Sequence, residues 1–253
     1  MFEIAADLAA LLVLAAVVAG FADAIAGGGG LITVPALLLV GASPVEALAT
    51  NKLQGTFGSA TASLAYARAG HVRLRDQAGM ALVSGLGGAA GALVAHLIPA
   101  EALRVIMPAV LIGVAAFFAF RKGLSDADRV ERMRPAVFAF TAVPLIGAYD
   151  GLFGPGTGSF FMIAFVALAG FGVLKATAHT KLLNFASNLG SLMVFAFSGA
   201  TWWITGLAMA LGQVAGAALG AKLAMRVGAR MIRPLLVVTS TAMALRLIWQ
   251  AMA

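Results

Sequence analysis

The chain has 253 residues, of which 62% are hydrophobic and only 11% charged, and its mean hydropathy is +1.00. Soluble proteins average roughly 45–50% apolar and about 25% charged residues, so this composition excludes a soluble domain and indicates an integral membrane protein. The net charge of +7 lies in short segments between apolar stretches, which is typical of cytoplasmic loops rather than of nucleic-acid binding, and the absence of cysteine excludes disulfides and thiolate metal sites.

The hydropathy pattern predicts an all-α membrane protein with ten apolar segments. They cover 4–26, 31–41, 45–67, 77–97, 102–120, 135–152, 158–171, 174–197, 203–223 and 235–251. The second and seventh segments are short, because about 13 helical residues reach only ~20 Å and a hydrocarbon core is ~30 Å thick. We expect these two to be partial or re-entrant, which gives about 8–10 transmembrane segments.

The order of segments repeats, which predicts one membrane repeat over 1–123 and a second over 134–253, with a cytoplasmic linker at 124–133. The Lys/Arg-rich loops 68–75, 121–134 and 222–233 are expected on the cytoplasmic side. Both termini are then external and each repeat makes an odd number of passes. The two repeats are therefore predicted to be inverted, an arrangement that places a binding site near the midplane between them.

Glycine runs interrupt both halves just before the short segments. Glycine is a poor helix interior residue, and a helix that starts after such a break presents unpaired N–H groups and the positive end of its dipole. An anion could approach these N–H groups closely, although the glycines could instead serve only to let helices cross tightly. The candidate anion-binding residues of the breaks are Gly28, Gly29, Gly30, Gly156, Thr157, Gly158 and Ser159.

A lysine inside a polar cluster opens the long segment after each break. Such lysines could snorkel to the membrane interface. The polar stripe that continues along each helix instead favours a cavity lining, because polar side chains of membrane helices face the bundle interior. The candidate residues of these clusters are Thr50, Asn51, Lys52, His179, Thr180, Lys181, Asn184 and Asn188.

Two carboxylates, Asp23 and Asp150, precede the glycine breaks inside apolar sequence. Ionisable residues at membrane depth are costly and are usually functional. Three roles stay open for them at this point: proton coupling, pairing with Lys52 and Lys181, or capping of the glycine loops.

Four stretches together resemble the sulfite exporter TauE/SafE family, in particular its YfcA-like branch of probable membrane transporters. They are AGGGGLITVPALL (26–38), ALATNKL (47–53), YDGLFGPGTGSF (149–160) and ATAHTKLLNFASN (176–188). The resemblance covers nearly the whole chain. It implies a multi-pass permease of the bacterial inner membrane that moves small anions, such as sulfite, sulfoacetate or related organosulfonates, without fixing the substrate.

The leading hypothesis is therefore a secondary transporter of a small anion, coupled to the proton gradient, that works by alternating access. We expect no cofactor, no metal, no nucleic-acid partner and no enzymatic activity; the expected partners are the anion and the lipid bilayer, and a homodimer is left open. Two rivals remain: an anion channel with the same glycine-lined constriction, and an intramembrane enzyme that uses Ser159 and His179.

Overall fold

The computed structural model describes residues 3–120 and 130–228, and these residues form helices and no strands. The helices are α1 (Ala6–Ala26), α2 (Gly30–Leu39), α3 (Pro44–Arg68), α4 (Ala78–Leu97), α5 (Ala100–Phe120), α6 (Pro135–Phe140), α7 (Ala142–Leu152), α8 (Thr157–Ala167), α9 (Val173–Phe195) and α10 (Trp203–Val227), with a 3-10 turn at Leu74–Gln77. The all-α prediction is confirmed. The last predicted segment, 235–251, and most of the predicted linker lie outside the described residues.

The predicted helix boundaries agree with the observed ones to within two residues, apart from three differences, one of which is that α8 ends at Ala167 rather than at the predicted 171. The predicted segment 135–152 is split at Thr141 into α6 and α7, and α10 continues to Val227, past its predicted end at 223. Where the sequence carries explicit start signals, the boundary is sharp. At the start of α3, the Ser43 hydroxyl accepts a hydrogen bond from the Glu46 backbone N–H, and the Glu46 carboxylate accepts one from Ser43 N at 2.7 Å.

Four helical stretches in the described part of the chain are long and apolar enough to cross a membrane: Ala6–Ala26, Leu74–Leu97, Pro135–Leu152 and Trp203–Val227. By contrast, α2 has 10 residues and α8 has 11, so each extends only about 15–17 Å. They are half-length helices, as expected from the sequence. The two helices with polar stripes, α3 and α9, lie against each other at the centre of the molecule.

Glycine-lined contacts determine how the outer helices pack. A Cβ on Gly216 of α10 would overlap the carbonyl oxygen of Val17 in α1, and a Cβ on Gly91 of α4 would overlap that of Ala148 in α7. Small residues at four-residue spacing let helices approach to backbone contact. The pairs α1–α10 and α4–α7 both run parallel, since successive glycines of one helix meet successive turns of its partner.

The direction of α3 is opposite to that of α9. Lys52 and Ser187 meet at the Asp150 carboxylate, whereas Tyr66 and Lys181 meet at Asp23 and its neighbour Ala24. Helix α3 also runs parallel to α10, and α9 parallel to α4. Two groups of parallel helices, α1–α3–α10 and α4–α7–α9, therefore meet along the α3–α9 contact.

The two ends of this bundle differ in charge. One end carries Arg68, Arg73, Arg75 and Arg226, and we call it the basic end. The opposite end has the turns at 40–43 and 196–202, which carry no charge, and beside them the acidic residues Glu3 and Glu46. The loops that were predicted to be cytoplasmic and that the structure describes thus share one end.

Candidate functional site

The two glycine breaks cross each other between α3 and α9. Gly27 has a φ of +74° and Gly156 a φ of +84°, a region that favours glycine. A Cβ on Gly27 would overlap the backbone of Gly158. The Ser159 hydroxyl lies 2.8 Å from the carbonyl oxygen of Ala26 and 2.6 Å from that of Gly27. Backbone from one half is thus packed directly on backbone from the other.

The first charged pair joins Lys52 to Asp150. The lysine Nζ lies 2.7 Å from Asp150 Oδ1, and the two side chains are 0% and 2% exposed. The other carboxylate oxygen, Oδ2, accepts a hydrogen bond of 2.6 Å from the Ser187 hydroxyl. Burial of an ion pair costs several kcal/mol per ion unless such contacts compensate it. Both oxygens of Asp150 are accordingly engaged.

The second pair joins Lys181 to Asp23 more loosely. Lys181 Nζ lies 3.8 Å from Asp23 Oδ2, and its hydrogen bond goes to the backbone carbonyl of Asp23. Asp23 Oδ1 accepts from the N–H groups of Gly28, at 3.0 Å, and Gly29, at 3.2 Å. Asp23 is 15% exposed. This carboxylate therefore caps its own glycine loop as well as facing a lysine.

Each lysine thus contacts the carboxylate of the other half of the sequence. Of the roles left open for Asp23 and Asp150, pairing is present for both and loop capping for Asp23 alone. The pairing also explains why the buried ammonium groups of Lys52 and Lys181 are tolerated, because a carboxylate lies beside each of them before any anion binds.

A small polar cavity of about 30 Å³ lies where the breaks cross, which is room for roughly one or two water molecules. Its lining is almost entirely polar side chains and glycine backbone. The lining residues are Asp23, Gly28, Gly29, Gly30, Asn51, Gly55, Asp150, Gly154, Gly156, Thr157, Gly158, Asn184, Asn188 and Gln213.

Amide groups supply the neutral donors of this cavity. Asn51 Oδ1 accepts from the hydroxyl of Thr33 at 2.7 Å and from Gln54 Nε2 at 2.9 Å, which leaves Asn51 Nδ2 as its free donor. Asn184 Oδ1 accepts from Asn188 Nδ2 at 3.2 Å, which likewise leaves Asn184 Nδ2. Amide N–H groups on α3 and α9 are therefore available to a ligand from both sides.

The predicted site residues fall into two groups. Nine of the fifteen substrate-binding candidates line the cavity, together with both carboxylates: Gly28, Gly29, Gly30, Asn51, Gly156, Thr157, Gly158, Asn184 and Asn188. The other six do not line it: Thr50, Lys52, Ser159, His179, Thr180 and Lys181. Lys52, Lys181 and Ser159 stand directly behind the lining, where they hold the carboxylates and the crossing backbone.

Three candidates lie farther from the cavity. Thr50 accepts a hydrogen bond of 3.1 Å from the Trp202 backbone N–H at the start of α10. The His179 ring packs against Phe171 and Phe165, with centroids 4.9 and 5.7 Å away. Thr180 is fully buried, and its hydroxyl has no partner within the described residues.

Gln213 of α10 was missed from the sequence. Its side chain is 3% exposed and lines the cavity, and it makes no side-chain hydrogen bond to the described part of the chain. Two glycines make room for it, because a Cβ on Gly20 or Gly58 would lie 2.7 or 2.6 Å from Gln213 Oε1. The available signal was a single amide among the glycines Gly212, Gly216 and Gly220, whose four-residue spacing by itself indicates helix packing.

No group of three or more His, Cys, Asp or Glu residues that could hold a metal occurs in the described ranges 3–120 and 130–228. The acidic and basic groups of the cavity region are instead matched in pairs. Apolar outer helices around a paired, polar centre of broken helices define a multi-pass membrane protein of the transporter type.

Comparison with known proteins agrees with this class. Residues 12–247 match the family Sulfite exporter TauE/SafE. The chain is 55% identical over 98% of its length to the Probable membrane transporter protein ORF9 of Sinorhizobium sp, of which 95% is covered. It is 42% identical over 99% of its length to the Probable membrane transporter protein YfcA of Escherichia coli K12, of which 93% is covered.

A Probable membrane transporter protein of Haemophilus influenzae is also 42% identical, over 98% of this chain and 97% of that protein. No solved structure gives a significant match. The chain belongs to the sulfite exporter TauE/SafE family and is a membrane transporter.

Proposed function

We propose that the protein is a secondary transporter of small sulfur-containing oxyanions or organosulfonates, such as sulfite or sulfoacetate, driven by the proton gradient across a bacterial inner membrane. The observation that carries the proposal is the pair of lysine–carboxylate contacts bordering one polar cavity. The family name supports the substrate class, and the bacterial relatives support the location.

The coupling follows from charge. Asp23 and Asp150 both line the cavity, so an anion that enters meets two carboxylates. Like charges that share one cavity repel strongly in a low dielectric. A proton on Asp150 removes one negative charge and ends its ion pair with Lys52. The lysine then needs a new counter-charge, and the anion is that partner.

In this scheme, a proton on Asp150 and an anion bound at Lys52 together replace the Lys52–Asp150 ion pair. The carboxylate takes the proton and becomes a carboxylic acid, and the ammonium keeps its charge and contacts the anion. The amide donors of Asn51, Asn184 and Gln213 and the starting turns of α2 and α8 complete the anion's hydrogen bonds. Release of the anion and the proton restores the pair.

Alternating access would come from movement of one half against the other around the α3–α9 contact. The opposite directions of α3 and α9, of α1 and α7, and of α4 and α10 support inverted repeats divided near residues 124–133, as the loop charges predict. The apolar outer faces are expected to contact lipid, and the proposal requires neither a second subunit nor a cofactor.

The test is uptake by purified protein in proteoliposomes. Sulfite, sulfate, sulfoacetate, taurine and acetate are offered with an imposed pH gradient. We expect saturable uptake of one or more of the sulfur compounds, accumulation above the external concentration, and no chemical change of the anion. Gln213→Glu, which adds a negative charge to the cavity, should abolish this uptake.

Each rival predicts another outcome. Flux that does not saturate and never exceeds equilibrium would establish a channel. A chemically altered substrate would establish an enzyme. Preference for acetate over all of the sulfur compounds would overturn the substrate class.

A further inference from the structure

Several buried polar side chains on the basic-end side of the cavity have no hydrogen-bond partner in the described part of the chain, although others there, such as Ser84 and Tyr66, are paired. Within the described residues, Ser63 Oγ, Thr177 Oγ1, Thr180 Oγ1 and both amide atoms of Gln77 are buried without any hydrogen-bond partner. The only other such atom is Oε1 of Gln54, whose amide nitrogen is bonded to Asn51. Unpaired buried polar groups are rare in folded proteins and call for an explanation.

The side chains of Thr180, Ser63, Thr177 and Gln77 all lie between the cavity and the basic end. Asn184 lines the cavity; Thr180 lies one helical turn nearer the basic end of α9, and Thr177 about one turn farther. Gln77 ends the 3-10 turn that packs against α9 at that end. Because α3 and α9 are antiparallel, Ser63 of α3 stands near the height of Thr180.

Toward the opposite end, the comparable hydroxyls are all paired. Ser191, which lies on α9 beyond the cavity, donates to the carbonyl of Ser187 at 2.7 Å. Thr201 donates to the carbonyl of Phe195 at 3.3 Å, and Thr50 accepts from Trp202 N. Apart from Gln54 Oε1, the unpaired buried side-chain atoms of the described residues therefore all lie between the cavity and the basic end.

We propose that Thr180, Ser63, Thr177 and Gln77 line a passage between the central cavity and the basic end, closed in this structure and hydrated when that end opens. Intramembrane polar residues commonly mark ion pathways, and water in the open passage would supply the missing hydrogen bonds. Its neutral donors, with no carboxylate among them, fit a small hydrated anion. The arginines at the mouth would raise the local anion concentration.

That the passage carries an anion rests on the proposed function, but the test of the passage needs no transported anion. Single cysteines are unambiguous, because the chain has none. We would place one at Ser63, Thr177 or Thr180 and treat membrane vesicles of known orientation with a membrane-impermeant, negatively charged thiol reagent from each side.

The matched controls are Ser191→Cys, a buried hydroxyl of α9 on the other side of the cavity, and Ala62→Cys and Ala178→Cys, which are buried neighbours on the same helices. We expect the three passage cysteines to react from the basic end at least tenfold faster than the three controls. Equal rates for passage and control positions, or reaction of Thr180→Cys only from the opposite side, would overturn the proposal.

Valine substitution separates a passage from a structural role. Thr180→Val and Thr177→Val remove hydroxyls that have no partner, so we expect an unchanged or higher Tm together with at least tenfold slower transport of whichever anion the uptake panel identifies. Ser191→Ala removes a paired hydroxyl and should lower Tm with little effect on rate. Thr180→Ser should keep the transport rate of the wild-type protein.

The two proposals fail differently. Labelled passage cysteines in a protein that moves none of the offered sulfur compounds would retain the passage and reject the substrate class. Uptake of those compounds with unlabelled passage positions, or with valine variants as fast as the wild-type protein, would reject the passage and retain the transporter function.

Discussion

The two lysine–carboxylate pairs look equivalent in sequence but differ in structure. Lys52 and Asp150 are in direct contact at 2.7 Å, and Ser187 holds the second carboxylate oxygen. Lys181 and Asp23 stand 3.8 Å apart, and the Asp23 carboxylate also holds the N–H groups of Gly28 and Gly29. In the register that aligns Lys52 with Lys181, Ser187 corresponds to Gly58, which has no hydroxyl to offer Asp23.

This difference assigns different tasks to the two carboxylates in our account. Among the described residues, the Asp150 carboxylate is hydrogen-bonded only to side chains, so its protonation changes these partners without disturbing the backbone. Asp23 holds a glycine loop in place, so loss of its charge would also loosen the start of α2. We therefore expect proton coupling to depend mainly on Asp150 and loop geometry mainly on Asp23.

The largest effect should come from removal of the Asp150 charge. Asp150→Asn leaves the fully buried Lys52 ammonium without a counter-charge, and breaking a buried pair from one side costs about 3–5 kcal/mol. Unfolding of the purified protein in detergent measures this loss. The double variant Lys52→Met with Asp150→Asn should recover most of it, and a double variant no more stable than Asp150→Asn would contradict the pairing.

Asp23 should show a smaller effect that depends on the substituted residue. Asn retains an oxygen that accepts from Gly28 and Gly29, and the carboxylate is partly exposed and 3.8 Å from Lys181, so Asp23→Asn should cost about 1 kcal/mol. Ala retains none, so Asp23→Ala should cost about 2–3 kcal/mol. The same unfolding assay distinguishes them. Equal losses for the two variants would show that the carboxylate acts through Lys181 rather than through the loop.

The hydroxyl of Ser187 offers a finer test of the asymmetry. Ser187→Ala removes one hydrogen bond to a carboxylate, and such bonds contribute roughly 1.5–3 kcal/mol. We expect a loss near the lower limit, because Lys52 still holds Asp150. In the Asp150→Asn background the same substitution should cost less than half as much, and a double-mutant cycle measures the difference. Full additivity would mean that Ser187 acts elsewhere.

The smallest effect is expected at Glu3, far from the cavity. Burial alone would raise the pKa of Glu3, but hydrogen bonds from Thr205 and Ile204 at the start of α10 hold it below its usual value. The stabilisation is therefore present above the unfolded pKa of about 4.3 and is lost as the pH falls through the lower folded pKa.

Glu3→Gln should cost about 1 kcal/mol near neutral pH, as expected for a helix N-terminal acceptor. The penalty should shrink below about pH 4, and transport should be unaffected. Tm values measured across the pH range test the first point and uptake tests the second. If Glu3→Gln altered proton coupling, Glu3 would belong to the transport mechanism. Its position at the end of the bundle opposite the basic end argues against such a role.

The sequence predicts much of the fold because its signals are local. Glycine runs give the two breaks, and Ser43-Pro44 gives the start of α3, since backbone conformation there depends on neighbouring residues. The cross-pairing of Lys52 with Asp150 is not local, because it depends on how α3 packs against the other half. Sequence reasoning could therefore offer pairing only as one of three roles.

Two further features depended on packing for the same reason. Gln213 reaches the cavity because Gly20 and Gly58, on two other helices, leave space for it. The unpaired hydroxyls of Ser63 and Thr177 resemble ordinary polar residues of a membrane helix in the sequence. Only the positions of the surrounding groups reveal that these two hydroxyls have no partner.

The central claim is that a proton on Asp150 exchanges the lysine's carboxylate partner for the transported anion. The direct measurement is proton movement driven by a gradient of a small sulfonate in proteoliposomes, since a sulfonate stays ionised and carries no proton itself. We expect the wild-type protein to move protons with the sulfonate. Asp150→Asn, which resembles the protonated state, should carry the anion without protons and independently of pH. Proton movement by Asp150→Asn at the wild-type ratio would contradict the account.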